Sequence, residues 1–263
     1  MSTAPPFHPG LAITISPVEL AFEYGAGVFG PQPELRMLDA IRPSLLDPHC
    51  DGPDPVYGIA MNFGRNTERS ELEQRMLLFG AVVYASGTLG AEPVRSQGHV
   101  HAPSPYSGWS APEVFEIWSG AAIIYGQQSD GDTPGRCVAV YAKPGEKVVM
   151  PPGWAHCVIN ADPRRRMAFG ALCDRQYGFD YKGVRAHGGL AWFPLVGTSR
   201  EIGWQPNPRY APSRLQQHDA RTYPELGLSA SMTLYEQFVR DPESVMFVSN
   251  PQRASDVWPN LMP

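Results

Sequence analysis

The sequence Gly98-His99-Val100-His101 is followed along the chain by a carboxylate, Glu113, and a glycine, Gly120. Side chains two positions apart on a β-strand point to the same face, with their backbones about 7 Å apart. Two imidazoles spaced in this way can converge on one metal ion with bonds of about 2.1 Å. The spacing therefore predicts a strand with a metal ion against one of its faces.

A second stretch, from Gly145 to Asn160, contains the rigid turn Pro151-Pro152-Gly153 and supplies a third imidazole, His156. Glu113 is the expected carboxylate ligand, because its rival Glu116 has the opposite strand parity. Three imidazoles and one carboxylate make a complete ligand set for a divalent transition metal, so the sequence indicates a metalloenzyme. The predicted ligands are His99, His101, Glu113 and His156.

The composition excludes several classes of protein. The chain has 263 residues, 43% of them hydrophobic and 18% charged, which suits one domain with a sizeable core. Its 28 prolines and 26 glycines favour short strands and tight turns over long helices. The formal net charge is -5 without an extended basic stripe, so no nucleic-acid partner is predicted. No run of about 18 apolar residues occurs, so no membrane association is predicted.

The four cysteines are widely spaced and form no Cys-x-x-Cys pair. They are Cys50, Cys137, Cys157 and Cys173, and most lie among apolar neighbours, as reduced buried thiols do. The first residues carry neither the basic segment nor the apolar segment of an export signal. These features predict a cytoplasmic protein without disulfide bonds.

Short β-like runs divided by turn residues dominate the middle of the chain. The predicted strands are Val56 to Phe63, Leu77 to Ala85, Val114 to Tyr125, Arg136 to Ala142, Lys147 to Met150, Met167 to Leu172 and Val245 to Val248. Successive strands at this interval are typical of an antiparallel sandwich or barrel.

Two short helices are predicted outside these strands. Pro33-Glu34-Leu35 opens the first, which places Leu35, Leu38 and Ile41 on one face. The second covers Met232 to Arg240 and ends at Asp241-Pro242. Its predicted apolar face consists of Leu234, Phe238 and Val239. The stretch from Ser70 to Gln74 is ambiguous between a helical turn and the entry to a strand.

The two metal-ligand stretches resemble the two signature motifs of the cupin superfamily. The first motif is matched by Gly98, His99, His101, Glu113 and Gly120, and the second by Gly145, Pro151, Gly153, His156 and Asn160. Within the superfamily, the sequence resembles the cupin-type glucose-6-phosphate isomerases of archaea and some bacteria. That resemblance lies in Gly98-His-Val-His101, Glu113-Val-Phe115 and Met150-Pro-Pro-Gly-Trp-Ala-His156, and extends over roughly residues 50 to 190.

This resemblance implies an all-β fold, the cupin double-stranded antiparallel β-barrel, which is jelly-roll-like and has short helices and N- and C-terminal extensions. An N-terminal arm with a short helix is expected at residues 1–50, and the barrel at residues 51–200. A C-terminal extension with one helix, packed on the barrel, is expected at residues 201–263.

The resemblance also implies a metal-dependent aldose–ketose isomerase that converts a sugar phosphate through an enediolate. Glucose 6-phosphate and fructose 6-phosphate are the implied pair. The implied catalytic residues are Glu113, His156 and Tyr181. The implied substrate-binding residues are Tyr57, Ser86, Gly87, Thr88, Ser96 and Gly98. Glu113 is the candidate base, with a metal-bound hydroxide or Tyr181 as alternatives.

The sequence also departs from the family pattern. Eleven residues, 102–112, separate His101 from Glu113 where a typical cupin has three or four, and they form either a lid or a surface loop. Val82 and Ser96 replace threonines of the family, and Cys173 stands where a tyrosine is common. An iron(II)-dependent cupin dioxygenase and a non-catalytic sugar-phosphate-binding cupin therefore stay open as alternative functions.

One divalent transition metal is the predicted cofactor, and the ligand set accepts Fe, Mn, Ni, Co or Zn. The predicted small-molecule partner is a sugar phosphate. Dimers are the commonest protein assembly, and the resemblance to cupins is consistent with a dimer, so a homodimer is expected.

Overall fold

The computed structural model describes residues 7–198 and 201–263. Within them the strands are β1 (Ile13–Ile15), β2 (Phe22–Tyr24), β3 (Val28–Phe29), β4 (Glu34–Arg36), β5 (Tyr57–Arg65), β6 (Leu77–Tyr84), β7 (Thr88–Leu89), β8 (Glu92–Pro93), β9 (Val100–His101), β10 (Glu113–Ser119), β11 (Ala122–Gln127), β12 (Cys137–Ala142), β13 (Lys147–Met150), β14 (Ala155–Asn160), β15 (Met167–Asp174), β16 (Phe179–Asp180), β17 (Trp192–Val196), β18 (Ile202–Pro206) and β19 (Leu215–Asp219). The helices are α1 (Leu38–Ile41), α2 (Arg69–Gln74), α3 (Lys182–Ala186) and α4 (Leu234–Arg240). Short 3-10 helices lie at Arg42–Ser44, Pro224–Leu226, Pro242–Val245, Pro251–Ala254 and Trp258–Asn260. Residues 1–6 of the predicted arm and 199–200 at the predicted barrel boundary lie outside the described residues.

Two sheets carry the fold. The larger has the order β13-β10-β15-β6-β5-β3, with β4 also paired to β5, and the smaller has the order β14-β11-β12-β19. Strand β15 is buried along its whole length, as expected for a central strand that is covered on both faces. The predicted all-β class with short helices and terminal extensions is confirmed, as two packed and mainly antiparallel sheets; among the described residues their strand pairing does not close into the predicted barrel.

One hydrophobic core lies between the two sheets. It is built from inward-facing residues of both, including Phe115, Ile124, Val140, Val158 and Phe169. Alternate residues of the larger sheet point to its other face and form a second core under the terminal extensions. There Phe79 packs against Tyr235 and Phe238 of α4.

The smaller sheet contains one parallel pair, β12 with β19, in an otherwise antiparallel arrangement. Strand β19 comes from the region expected to form a C-terminal extension, so that region completes a sheet as well as packing on it. The predicted strand from Val114 to Tyr125 is two strands, β10 and β11, separated at Gly120. Gly120 has a φ of 75°, which a glycine adopts without strain and which permits the turn.

Two predictions of local structure are wrong. Glu34–Arg36 is strand β4 rather than the start of a helix, because its backbone pairs with the Tyr57–Ile59 part of β5. Helix α1 therefore begins only at Leu38. The predicted strand Val245 to Val248 is instead the last residue of the 3-10 helix Pro242–Val245 and the turns that follow it. Its side chains are buried among α4 and the second core without any strand partner, so their apolar character reflects burial alone.

Helix α4 occurs where the sequence predicts it. Thr233 and Glu236 form a capping box, in which each side chain bonds the other residue's backbone N–H. Leu234 and Phe238 are buried, but Val239 is 39% exposed and lies off the apolar face, contrary to the prediction. The ambiguous stretch from Ser70 to Gln74 is helical, as part of α2.

The cysteines are all buried, and among the described residues no disulfide joins them. Within the same residues, no helix combines the length and the apolar character needed to cross a membrane.

Replacement of Gly170 by alanine is expected to lower the free energy of unfolding by about 1–3 kcal/mol. A Cβ at Gly170 would overlap the ring of Trp118, which is buried against Phe22 and Phe63, so this ring or its neighbours must shift. Urea titration measures the change. The control is Gly203→Ala, on exposed strand β18, where the new Cβ meets no atom closer than 3.8 Å. Equal unfolding midpoints for the two variants would contradict the packing argument.

Candidate metal centre

The predicted ligands are carried by three strand segments that meet at one end of the two sheets. His99 and His156 form an antiparallel bridge, with backbone hydrogen bonds of 3.1 and 2.9 Å between them. His101 lies two positions beyond His99, and Glu113 is the first residue of β10. One ligand atom from each of the four residues lies within 4.8 Å of every other. The structure thus brings all four side chains to one point.

Backbone carbonyls fix the orientation of two of the rings. The Nδ1 of His101 lies 2.8 Å from the carbonyl oxygen of Ala111, and that of His156 lies 3.0 Å from the carbonyl oxygen of Trp154. A carbonyl only accepts, so each Nδ1 carries a proton, and in the neutral ring Nε2 is the nitrogen available to a metal. The two carbonyls therefore point the two Nε2 atoms at a common centre.

Two of the imidazole nitrogens in the cluster are buried without hydrogen bonds to the described residues. The Nε2 atoms of His99 and His101 are buried and have no hydrogen-bond partner among the described residues. Burial and the neighbouring histidines hold the pKa of His99 well below its usual value, which keeps this ring neutral. Neutral imidazole is the form that binds a metal. A buried polar atom without a partner is costly, and metal coordination would remove that cost.

Glu113 is the acidic centre of the cluster. Its Oε2 lies 3.2 Å from the Nε2 of His156 and 3.3 Å from the Nε2 of His101. Burial by itself would raise the pKa of Glu113, but the neighbouring imidazoles of His101 and His156 outweigh it and hold this pKa well below its usual range. The other oxygen, Oε1, lies 3.4 Å from the Sγ of Cys173. The carboxylate is thus ionised, as a ligand must be.

These residues fit a divalent transition metal. Two ligands on opposite sides of an ion with bonds of about 2.1 Å lie about 4.2 Å apart, so the cluster needs to contract by only a few tenths of an ångström. Three nitrogens and one carboxylate also leave positions on the ion open to a substrate or water. The site can therefore present a Lewis acid to a small molecule.

A cavity of about 70 Å³ lies beside the cluster. His99, Glu113 and His156 form part of its wall. Much of the remaining wall is apolar, from Ile59, Met61, Val82, Phe115, Phe169 and Ala171. The cavity is smaller than the 300–1,000 Å³ typical of ligand pockets, so a substrate larger than a few atoms requires the walls to move.

The structure places some predicted substrate residues on this cavity and others away from it. Tyr57, Ser96 and Tyr181 line it. Ser86, Gly87 and Thr88 do not, because the backbone of Gly87 is bonded to Pro163 and Thr88 pairs with Pro93 in a small hairpin. Gly98 does not line it either, and a Cβ there would meet Leu190.

The insert of residues 102–112 is fixed to the outside of the site. Its Ser110 accepts a hydrogen bond from the backbone of Gly153 at 3.1 Å, and Trp109 packs against the second core. None of its residues lines the cavity, and Tyr106 is 48% exposed. In this structure the insert does not cover the cavity as a lid, although the carbonyl of its Ala111 contacts His101.

Sequence reasoning missed two groups that line the cavity. Gln97 shares strand parity with His99 and His101, so the period-two pattern that found the ligands could have found it. Phe179 lies opposite His101 in the pairing of β16 with β9, and its ring centroid is 4.3 Å from that of His99. No local pattern marks Phe179, because its role depends on a pairing between distant segments.

A family model described as glucose-6-phosphate isomerase (GPI) matches residues 47–210. Among curated proteins, a lysine-specific demethylase of Arabidopsis thaliana, JMJ21, is 29% identical over 124 residues, which are 44% of this chain and 12% of that protein.

Several solved structures are similar in part. Vicilin from hazelnut, Corylus avellana, has a TM-score of 0.36 and 10% identity, over 50% of this chain and 33% of that chain. An oxalate oxidase has a TM-score of 0.36 and 16% identity, over 47% and 53% of the two chains. Oxalate decarboxylase from Bacillus subtilis has a TM-score of 0.35 and 16% identity, over 48% and 27%. In each case the match covers only part of the other protein.

Proposed function

The chain belongs to the glucose-6-phosphate isomerase (GPI) family, in the cupin superfamily, and we propose that it is a metal-dependent aldose–ketose isomerase acting on a sugar phosphate. The proposed pair is glucose 6-phosphate and fructose 6-phosphate. The observation that carries the proposal is the convergence of three imidazoles and one carboxylate at the wall of a cavity. The matched residues, 47–210, include all four ligands.

A divalent metal bound to His99, His101, Glu113 and His156 would supply the positive charge that offsets negative charge developing on two neighbouring oxygens of an open-chain sugar. We assign the proton movement between C1 and C2 to Oε1 of Glu113. Its Oε2 faces His101 and His156, whereas the hydrogen-bond partner of Oε1 among the described residues is the weakly donating thiol of Cys173. Oε1 is therefore the carboxylate oxygen that is freer to take a proton from one carbon and return it to the next.

Tyr181 is proposed as a hydrogen-bond donor to the sugar rather than as the base. Burial raises the pKa of its phenol, so the group keeps its proton near neutral pH. Its ring centroid is 5.9 Å from that of His99, within reach of a substrate held beside the metal. A protonated phenol donates a hydrogen bond and cannot accept the proton from carbon.

Removal of the metal tests the proposal. After dialysis against a chelator, we expect isomerase turnover to be lost, and we expect one of Fe, Mn, Ni, Co or Zn to restore it. Metal analysis of the purified protein measures the metal content, and a coupled assay with several sugar phosphates measures the turnover. Turnover that survives complete removal of the metal, or its absence with every ion and sugar phosphate, would contradict the proposal.

Deuterium exchange tests the assignment of Glu113. Proton transfer through a carboxylate exchanges with solvent, so product formed in D₂O should contain deuterium at C1 or C2. A product without any solvent deuterium would favour a hydride shift over proton transfer through Glu113.

One observation favours a second candidate, an iron(II)-dependent dioxygenase. Much of the cavity wall is apolar, which suits molecular oxygen and an apolar substrate better than the hydroxyls of a sugar. Oxygen consumption by the iron-loaded protein separates this candidate from an isomerase, since isomerisation consumes none.

A cytoplasmic location and a homodimeric assembly are further parts of the proposal. Four buried cysteines without disulfides are typical of a reducing compartment, and two-fold dimers are the commonest assembly. Light scattering during size-exclusion chromatography measures the oligomeric state directly. A sugar-phosphate-binding protein without turnover is the alternative that remains if the isomerase and oxygen assays both fail.

A further inference from the structure

The insert of residues 102–112 is a hairpin with a defined structure of its own. Pro103 and Ser110 form an antiparallel bridge at its base. Beyond this bridge, the backbone of Ser104 donates a hydrogen bond of 2.8 Å to the carbonyl oxygen of Trp109. Because the hairpin is closed by these contacts, the residues at its end have fixed positions as the chain enters β10.

The end of the insert orients one ligand of the metal centre and leads directly to another. The carbonyl oxygen of Ala111 lies 2.8 Å from Nδ1 of His101 and accepts its hydrogen bond. Ala111 is buried, and the carboxylate ligand Glu113 follows it by two residues. A shift of the end of the insert would therefore turn one imidazole and move the backbone that carries the carboxylate.

One hydrogen bond connects this end of the insert with the second metal-ligand stretch. The backbone N–H of Gly153 donates to Oγ of Ser110 at 3.1 Å. Each of these two residues immediately precedes a carbonyl that orients an imidazole of the cluster, namely that of Ala111 and that of Trp154. The bond therefore joins the two segments that set the directions of two metal-binding rings.

Strand pairing fixes the two ends of the turn at residues 151–153 but not its middle. Strand β13, before the turn, pairs with β10, and His156, after the turn, forms a bridge with His99. Between these points, the Cβ position of Gly153 faces open space, whereas its N–H is bonded to Ser110. Ser110 therefore anchors the middle of the turn, next to the carbonyl that orients His156.

We propose that Ser110 is a positioning residue for the metal centre, through which the insert holds the two orienting carbonyls in fixed places relative to each other. Ser110 does not line the cavity, so it acts through the backbones of Ala111 and Gly153. Groups that fix the direction of metal-binding imidazoles raise metal affinity, because the rings are already held in the geometry that the ion needs. The inference rests on the metal centre of the proposed function, but not on its reaction or its substrate.

Titration of Co²⁺ into the metal-free full-length chain, measured by isothermal titration calorimetry, tests this role. We expect Ser110→Ala to weaken Co²⁺ binding about tenfold, as the loss of a group that orients metal ligands does. Ser110→Thr keeps a hydroxyl acceptor for the N–H of Gly153, so it should bind Co²⁺ more tightly than Ser110→Ala. The visible absorption spectrum of the bound Co²⁺ should also change in Ser110→Ala, because this spectrum depends on the geometry of the ligands.

The matched control is Ser107→Ala, in the same insert. Oγ of Ser107 accepts a hydrogen bond of 3.3 Å from the backbone of Trp109, so this variant disturbs the hairpin without removing the bond to the second stretch. Its Co²⁺ affinity and spectrum should match those of the wild type. Thermal unfolding of the metal-free variants measures any general damage to the fold separately. Equal weakening of Co²⁺ binding in Ser107→Ala and Ser110→Ala would overturn the positioning role, and so would the same loss in Ser110→Thr.

The outcome is separable from that of the isomerase proposal. A chain without isomerase turnover, whose Co²⁺ affinity falls in Ser110→Ala but not in Ser107→Ala, would keep the positioning role and lose the reaction. An active isomerase whose Co²⁺ affinity is unchanged in Ser110→Ala would keep the reaction and lose the positioning role. A wild-type chain that binds no Co²⁺ would overturn the positioning role together with the metal centre.

Discussion

In the His156→Ala variant we expect the metal content to fall close to zero and isomerase turnover to fall by at least about 10³-fold, which corresponds to about 4 kcal/mol of transition-state stabilisation. His156 is the ligand that β14 brings to the pair from the first stretch, and it also contacts Oε2 of Glu113 at 3.2 Å. Without His156, only two imidazoles and one carboxylate of the cluster would remain to hold an ion. Glu113 would also lose its contact with the Nε2 of His156. Metal analysis by mass spectrometry and the coupled assay measure the two effects.

The matched control is His49→Ala, a histidine in an exposed loop away from the cluster. Metal content and turnover should match those of the wild type in this variant. Because metal content is measured independently of the reaction, the metal centre can be tested even if the substrate is not a sugar phosphate. Full occupancy of a transition metal in His156→Ala would show that the ion lies elsewhere.

In the Lys147→Met variant we expect the free energy of unfolding to fall by about 3–5 kcal/mol while the metal content stays unchanged. Lys147 and Glu116 are both buried, with 3.5 Å between Nζ and Oε1. The same oxygen of Glu116 accepts a hydrogen bond of 2.7 Å from the backbone of Leu234, at the start of α4. Loss of Lys147 leaves a buried carboxylate without its counter-charge. Chemical denaturation measures the loss.

The double variant Lys147→Met with Glu116→Gln is the control for this argument. It removes both charges, so its loss of stability should be smaller than the sum of the two single losses.

The ionisation of Glu116 also makes the effect depend on pH. Burial raises the pKa of Glu116, so the folded state binds this proton more tightly than the unfolded state does. Ionisation of the buried carboxyl therefore lowers the free energy of unfolding as the pH rises. The deficit of Lys147→Met should therefore be larger at about pH 8 than at about pH 5. Additive losses, or a deficit that is independent of pH, would contradict a buried ion pair.

The metal ligands were predictable because their placement depends on local rules. Strand parity sets His99 and His101 on one face, and the same parity separates Glu113 from Glu116. In the structure Glu113 faces the histidines, whereas Glu116 faces Lys147 and α4 on the other side of the sheet. Period-two alternation is a property of the backbone itself, so it survives without knowledge of the tertiary structure.

The rest of the cavity could not be read from spacing. Tyr57, Phe179 and Tyr181 come from separate segments, and only the pairing of β5 with β6 and of β16 with β9 helps to bring them to one cavity. The turn from Ser86 to Thr88 has donors suited to phosphate, but the direction that a turn faces depends on its neighbours, here Pro163 and β8. The apolar run Val245 to Val248 was wrongly predicted to be a strand for a similar reason. A short run of apolar residues is expected both in a strand and in any other buried segment, so the sequence does not distinguish the two.

The parallel pairing of β12 with β19 determines when, during synthesis, the smaller sheet can be completed. Cys137 of β12 lies beside Leu215 of β19, so the edge of β12 stays unpaired until Leu215–Asp219 have left the ribosome. A nascent chain arrested before Asp219 would carry both metal-ligand stretches but present an unpaired strand edge, the feature through which partly made proteins aggregate. Synthesis of β19 is thus a step in building the smaller sheet. Before that step, the unpaired edge of β12 is a surface that chaperones would need to protect from aggregation.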